Sequence, residues 1–231
     1  MDDHAPDEHS HHRWNLRSAF HMVGSMRDFW SSDLNRAAVD LINPQPGTTL
    51  LDLGAGFGPA TVAAAQRVGP GGRVIAVDPS RAMREVLRVR RLWQRSRPLI
   101  DVRAGAAEDL PVATNAVDGV LAVNAAHHFD NMRLATAEVT RALRPGGTLL
   151  LIDEDFTTSQ HPYHEQSHGK GMEPMDAGRI VDLLTATGFL VAYADHQPIA
   201  GVTATVISAT APAPHPAPDV DSDAPDTRQS S

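Results

Sequence analysis

The segment Leu50-Leu51-Asp52-Leu53-Gly54-Ala55-Gly56-Phe57-Gly58 runs an apolar stretch into glycines at alternate positions, with an acid two residues ahead of the first. Glycine lets the chain leave a strand sharply and leaves bare backbone for a ligand to lie against. The amides and the positive end of the following helix would then face that ligand. Spacing separates the ligand classes that use such a turn. Dinucleotide turns favour GxGxxG, with the last glycine inside the helix and a pyrophosphate on the helix end. Here the spacing is GxGxG, and Pro59 stands where that last glycine would be. The Asp52 carboxylate would repel a diphosphate and suits a ligand carrying an ammonium group. For the glycines alone, the plainer reading is an ordinary tight connection between strand and helix.

A second acid narrows the choice. Twenty-two residues after Gly56 stands Asp78, in Val77-Asp78-Pro79-Ser80. A carboxylate at the tip of a second strand is placed to accept both hydroxyls of a ribose; the alternative is a turn or helix-capping aspartate. Together the two features fit S-adenosylmethionine, whose methionine part carries an ammonium group and whose nucleoside carries a ribose.

The elements that must position these residues alternate along the chain. An amphipathic helical stretch covers 16–42, broken near Ser31-Ser32, and an apolar strand 49–53 leads through the glycines into a helix 59–68. A strand 73–77 is followed by Ser80, a natural N-cap for a helix to about 95, and then by a short extended piece, 100–103. Strand 119–123, helix 132–143 and strand 148–152 come next. Helix 176–187 ends at Gly188, and two extended stretches, 189–194 and 203–209, close the domain. The first five strands are apolar throughout, as in a parallel sheet covered on both faces. The last two have no helix between them and should form an antiparallel pair. The expected fold is α/β: a Rossmann-like, doubly wound, mostly parallel seven-stranded sheet with an antiparallel edge hairpin. Its ligand should lie beyond the carboxyl ends of the strands.

Composition bounds the rest. At 231 residues and 42% hydrophobic content the chain holds one sizeable domain, expected at 14–210 with a helical cap at its start. The acidic, His-rich residues 1–13 and the Pro- and Asp-rich residues 211–231 read as disordered tails. No apolar run reaches the roughly 20 residues of a membrane span, and MDDHAPDEHSHH is no secretory signal, so a cytoplasmic protein is expected. The absence of cysteine excludes disulfides, thiolate-held metals and a cysteine nucleophile. A net charge of −8 argues against nucleic-acid binding over the whole surface. Arg84, Arg88, Arg91 and Arg95 make a stripe at helical spacing; it is a solvated face, or a dock for a phosphorylated carrier, for RNA or for the acidic tail.

In these motifs the sequence resembles the class I S-adenosylmethionine-dependent methyltransferases, and among them the small-molecule branch that includes the ubiquinone and menaquinone biosynthesis enzymes. The matching segments are LLDLGAGFG at 50–58, VIAVDPS at 74–80, AGAAEDLP at 104–111, VDGVLAVNAAHHF at 117–129 and LRPGGTLLLIDE at 143–154, in the family's order and spacing. The resemblance implies that Gly54, Ala55, Gly56 and Gly58 line the methionine portion, near Asp52. It implies that Asp78, with Pro79 beside it, holds the ribose, that the Ala107 amide meets the adenine, and that Asn124 lies beneath the cofactor. At Ala106 the sequence departs from the Asp or Asn common in the family. Either Glu108 or Asp109 substitutes there, or the bond to the adenine amino group is absent and affinity is weaker.

Methyl transfer is an in-line displacement, so the protein mainly aligns the acceptor and removes its proton where needed. His127 and His128 directly follow the fourth strand; either could be the base, or could only position the acceptor. Asp153-Glu154-Asp155 leaves the fifth strand, and His161, His164, Glu165 and His168 share a face if that segment is helical. The acids and histidines should overhang one cleft, as a substrate-facing lid in which His168 is a third catalytic candidate, or as ligands of a divalent metal. Trp14, Phe20, Met22, Met26, Phe29 and Trp30 form an apolar acceptor wall or plain core. The expected acceptor is a small molecule, with no membrane partner; the oligomeric state is not legible. Nucleic acid is disfavoured, because strand four ends Asn-Ala-Ala-His where base-amine methyltransferases carry Asn-Pro-Pro-aromatic. A nicotinamide oxidoreductase is opposed by the glycine spacing and by Lys170 having no tyrosine four residues earlier. A cofactor-binding regulatory protein without turnover is the remaining alternative.

Overall fold

A computed structural model describes residues 33–155 and 175–213. The strand predicted at 49–53 is β1, Thr49–Leu53, whose last four residues are all buried. Such burial on both faces is what an apolar run without alternation requires. Helix α1, Asp33–Ile42, precedes it, and α2, Pro59–Val68, follows it with proline in its first turn. Strand β2, Arg73–Asp78, leads to α3, Arg81–Arg91, and Ser80 caps that helix by accepting the Met83 amide at 3.4 Å. Strands β3, Ile100–Ala104, and β4, Val117–Val123, are joined by a long connection. Helix α4, Met132–Ala142, and strand β5, Leu143–Glu154, follow. Helix α5, Ala177–Ala186, and strands β6, Leu190–Ile199, and β7, Val202–Thr210, complete the described chain.

The seven strands lie in the order β3-β2-β1-β4-β5-β7-β6. Pairings among the first five are parallel, whereas β7 runs antiparallel to both β5 and β6. The fold expected from the sequence is the fold observed. Chain order reverses between β1 and β4, and a doubly wound sheet opens its ligand crevice at such a reversal. Apolar side chains pack on both faces. Leu50, Val74, Leu121 and Ile152 meet α1 and α2 on one side, while Leu51, Val77, Val120 and Leu149 meet α4 and α5 on the other.

Most boundaries fall within two residues of expectation, and three elements differ by more. Helix α3 stops at Arg91, because the Leu92 amide closes a turn on Val89 and Pro98 lies ahead. Arg95 therefore falls outside the stripe. Strand β5 begins at Leu143, which pairs with Val117; the Arg144-Pro145-Gly146-Gly147 stretch then bulges before Thr148 takes up its place against Gly119. A β-carbon on Gly147 would lie 2.9 Å from the Arg144 and Asp118 carbonyl oxygens, so only glycine fits. Strand β6 continues through Asp195-His196-Gln197-Pro198, a polar run tolerated because β6 is a sheet edge. The expected helical stretch before residue 33, the tail 1–13 and residues 214–231 of the other tail lie outside the described residues; Ala211, expected in that second tail, is instead buried, and its amide donates to the Gly147 carbonyl at 2.8 Å. Among the described residues no helix is long and apolar enough to cross a membrane.

Candidate active site

The carboxyl ends of β1, β2, β4 and β5 bring the predicted residues to one side of the sheet. Gly54, Gly56 and Gly58 all have positive φ, at 70°, 54° and 81°. They do not serve alike. A β-carbon on Gly54 would lie 2.5 Å from the Ala125 β-carbon, and one on Gly58 would lie 2.2 Å from Leu87 Cδ1. These two glycines let β4 and α3 close on the turn. At Gly56 a β-carbon would meet nothing within 4 Å, so this is where bare backbone faces open space.

The sequence expectation that the turn's amides face a ligand is corrected here. Gly54 and Ala55 donate to the Val77 carbonyl at 2.9 and 3.0 Å, and Gly58 donates to the Ala55 carbonyl at 2.8 Å. Gly56 donates to Asp78 Oδ2 at 2.7 Å. Asp52 is only 2% exposed and accepts both the hydroxyl and the amide of Thr61, in the first turn of α2. An anion of the protein's own thus occupies the positive end of that helix. Burial above all pushes the Asp52 carboxyl up to about 6; the Thr61 hydrogen bonds oppose this and nearby Asp78 adds to it.

Asp78 is 7% exposed, at the tip of β2. Its Oδ1 accepts the Ser80 amide at 2.8 Å and its Oδ2 the Gly56 amide. Each carboxylate oxygen retains a further lone pair, so two hydroxyls can still be accepted. Burial raises the Asp78 carboxyl above its ordinary value, against the two amides and the Arg84 charge. Pro79 follows directly, and its carbonyl accepts Arg84 Nη1 at 2.8 Å.

After β3, Ala106 and Asp109 form an isolated bridge, and Ala107 is buried. Glu108 is engaged elsewhere, accepting the Asn131 amide at 3.0 Å ahead of α4. Asp109 is exposed. The loop is held from α4: Glu138 accepts the Leu110 amide at 2.8 Å, and Arg141 donates to the Leu110 and Val112 carbonyls at 3.1 and 2.7 Å.

At the end of β4, Asn124 takes φ 51°, and its side-chain oxygen accepts the Glu154 amide at 2.8 Å. Its side chain thus ties β4 to β5. Beyond it, Ala126–His128 make a single 3-10 turn. Asp153 Oδ2 lies 2.9 Å from His127 Nδ1 and also accepts the His127 amide; Oδ1 accepts the Ala125 amide at 3.0 Å. Both side chains are only 3% exposed. A carboxylate accepts, so Nδ1 carries the proton and the ring's lone pair is at Nε2. His128, exposed at the rim, has its ring centroid 4.0 Å from that of His127; partial burial and then the His127 ring hold it below the ordinary histidine value.

The sequence reading missed the Asp153–His127 pair, having grouped Asp153 with Glu154 and Asp155. The three acids do not act as a set. Strand alternation puts Glu154 on the face opposite Asp153, and Asp155, one residue past the end of β5, has its Oδ2 3.5 Å from His196 Nε2 on β6. His161, His164, Glu165 and the catalytic candidate His168 lie outside the described residues. Among the described residues no group of three or more His, Asp or Glu side chains could hold a metal. The arginines of the stripe are partly solvated, the Arg88 side chain being 38% exposed, and they also bind the sheet: Arg84, Arg88 and Arg91 donate to the carbonyls of Asp78, Val102 and Ile100.

A family profile described as a methyltransferase domain matches residues 51–151. A methyltransferase of Mycobacterium tuberculosis is 41% identical over 115 residues, covering 50% of this chain and 43% of that protein. The demethylmenaquinone methyltransferase of Symbiobacterium thermophilum is 36% identical over 109 residues, covering 47% and 43%. The chain thus spans less than half the length of these two relatives. A crystal structure of a SAM-dependent methyltransferase from Aquifex aeolicus superposes with a TM-score of 0.66 at 18% identity, covering 82% of this chain and 97% of that one, and shares the fold. Residues 51–151 thus match a methyltransferase domain, and there the chain is similar to the demethylmenaquinone and ubiquinone/menaquinone biosynthesis methyltransferases.

Proposed function

We propose that this chain is an active enzyme that transfers the methyl group of S-adenosylmethionine to a small-molecule acceptor. One observation carries the reading: the turn after β1 has turned its amides inward, and the Asp52 carboxylate already sits on the N-terminus of α2. A diphosphate needs those donors and that positive end. Two buried carboxylates, Asp52 and Asp78, favour a cation instead.

When bound, S-adenosylmethionine supplies an electrophilic methyl group on a sulfonium. In this reading the Gly56 backbone lies along its methionine portion, flanked by Gly54, Ala55 and Gly58. Asp78 accepts the ribose hydroxyls while keeping its bonds to Gly56 and Ser80. The Ala107 amide meets the adenine. The Ala106 side chain offers no acceptor for the adenine amino group, and Glu108 is turned to Asn131. Asn124 shapes the floor by joining β4 to β5. His127 takes the acceptor's proton at Nε2, and Asp153 positions the ring and stabilises the imidazolium that forms. His128 lines the rim beside it.

Calorimetry with S-adenosylhomocysteine and NADH separates the classes: the first is expected to bind and the second not. Incubation of a metabolite extract with S-adenosylmethionine is expected to give a product heavier by one methyl group. NADH binding without S-adenosylhomocysteine binding would overturn the reading; binding without any methylated product would make the chain a regulatory binder.

A further inference from the structure

We infer that Arg84 is a positioning residue for the nucleoside end of the methyl donor, acting through Asp78; the inference rests on the function proposed above. Arg84 Nη1 donates to the Asp78 carbonyl at 2.7 Å and to the Pro79 carbonyl at 2.8 Å. It therefore grips the two peptide units that leave β2. The Asp78 side chain in turn holds Gly56 at 2.7 Å and Ser80 at 2.8 Å. One guanidinium on α3 thus fixes the carboxylate and, through it, the backbone of the glycine turn.

The arrangement is specific to this arginine. Arg88, one turn on, pairs with Glu85 at 2.7 Å and reaches the Val102 carbonyl, away from Asp78. Arg91 reaches the Ile100 carbonyl. The charged groups acting on Asp78 are Arg84 from α3 and Asp52 from β1, with the Gly56 and Ser80 amides as its hydrogen-bond donors. Arg84 is therefore the cation that offsets Asp52 at this carboxylate. The Arg84 Nε is itself buried without a partner, so the side chain is held here at the cost of one unmade hydrogen bond. Such an arrangement makes sense if Asp78 must remain ionised in a buried place, because a protonated carboxyl loses acceptor capacity for a ribose.

The test is the pH dependence of S-adenosylhomocysteine affinity, measured by calorimetry on the full chain between pH 5 and 8. Wild type is expected to weaken on acidification, with a midpoint that belongs to the Asp52/Asp78 pair. Arg84→Gln is expected to weaken binding about tenfold at pH 7.5 and to move that midpoint upward by about half a unit or more. Arg84→Lys retains the charge and Arg88→Gln leaves Asp78 untouched, so both should keep the wild-type midpoint. A midpoint unmoved in Arg84→Gln, with affinity merely lower throughout, would reduce Arg84 to a structural residue and overturn the inference. Should Arg84→Gln not fold, Arg84→Lys still decides: a midpoint displaced despite the retained charge overturns it. Wild type failing to bind S-adenosylhomocysteine at any pH would instead overturn the function on which this rests.

Discussion

In the proposed reaction Asp52 and Asp78 hold the methyl donor and His127 takes the acceptor's proton, and Asp52 and His127 can each be tested alone. Replacing His127 by alanine should lower kcat at least about 100-fold if the acceptor needs a base, with S-adenosylhomocysteine affinity unchanged. Retained turnover would remove His127 from catalysis. Asp52 makes a different prediction, because its folded pKa lies near 6, above the ordinary 3.8. The folded state then binds the proton more tightly than the unfolded one. Its contribution to stability is fully present below about pH 4 and is lost as pH rises to about 6, by roughly 2–3 kcal/mol. Asp52→Asn keeps an acceptor for Thr61 without the charge. The variant should show a flatter dependence of Tm on pH across that window and a higher Tm at pH 7.5; a parallel pH dependence would refute the burial argument.

At the scale of elements, the turn between β1 and α2 separates glycines that serve packing from the glycine that serves a ligand. Gly58→Ala would force a β-carbon against Leu87 of α3 at a φ of 81°. It should cost about 2–4 kcal/mol in unfolding free energy, from backbone strain and overpacking together. Gly56→Ala meets no neighbour, so its stability cost should be about 1–2 kcal/mol, from the positive φ alone. Its methyl group would stand in the open space where the proposed reading puts the methionine portion, and should lower S-adenosylhomocysteine affinity by tenfold or more. Urea unfolding and calorimetry on both variants give the comparison. Equal effects of the two substitutions on affinity would mean that the open position has been misassigned. The arginines belong to this scale too. A stripe at helical spacing reads from sequence as a solvated or docking face; in the fold it also holds the end of β2 and the first half of β3.

For the whole molecule, the ligand should bind the folded state alone and stabilise it by mass action. At a hundred times its Kd, S-adenosylhomocysteine should add about 2.7 kcal/mol and raise Tm by roughly 5–10 °C, as read by a thermal melt. NADH at the same concentration should leave Tm unchanged. A shift with NADH would point to a crevice open to diphosphates, against the inward-turned amides.

The sequence by itself determined the sheet, its hairpin and the place of the crevice. Apolar strands without alternation must be buried on both faces, glycines at alternate positions must turn, and a helixless pair must be antiparallel. It also placed Asp52, Asp78, Asn124 and His127 at or beyond the carboxyl ends of strands: Asp52 is next to last in β1, Asp78 ends β2, and Asn124 and His127 follow β4. What it could not carry was partnership across the sheet. Asp153 finds His127 from 26 residues away because β4 and β5 are neighbours in register, and nothing local distinguishes it from Asp155. Thr61 meeting Asp52, Glu108 meeting Asn131 and Arg84 meeting the tip of β2 are likewise consequences of packing. A hydrogen bond depends on distances of a few tenths of an ångström, and only the assembled layers fix those.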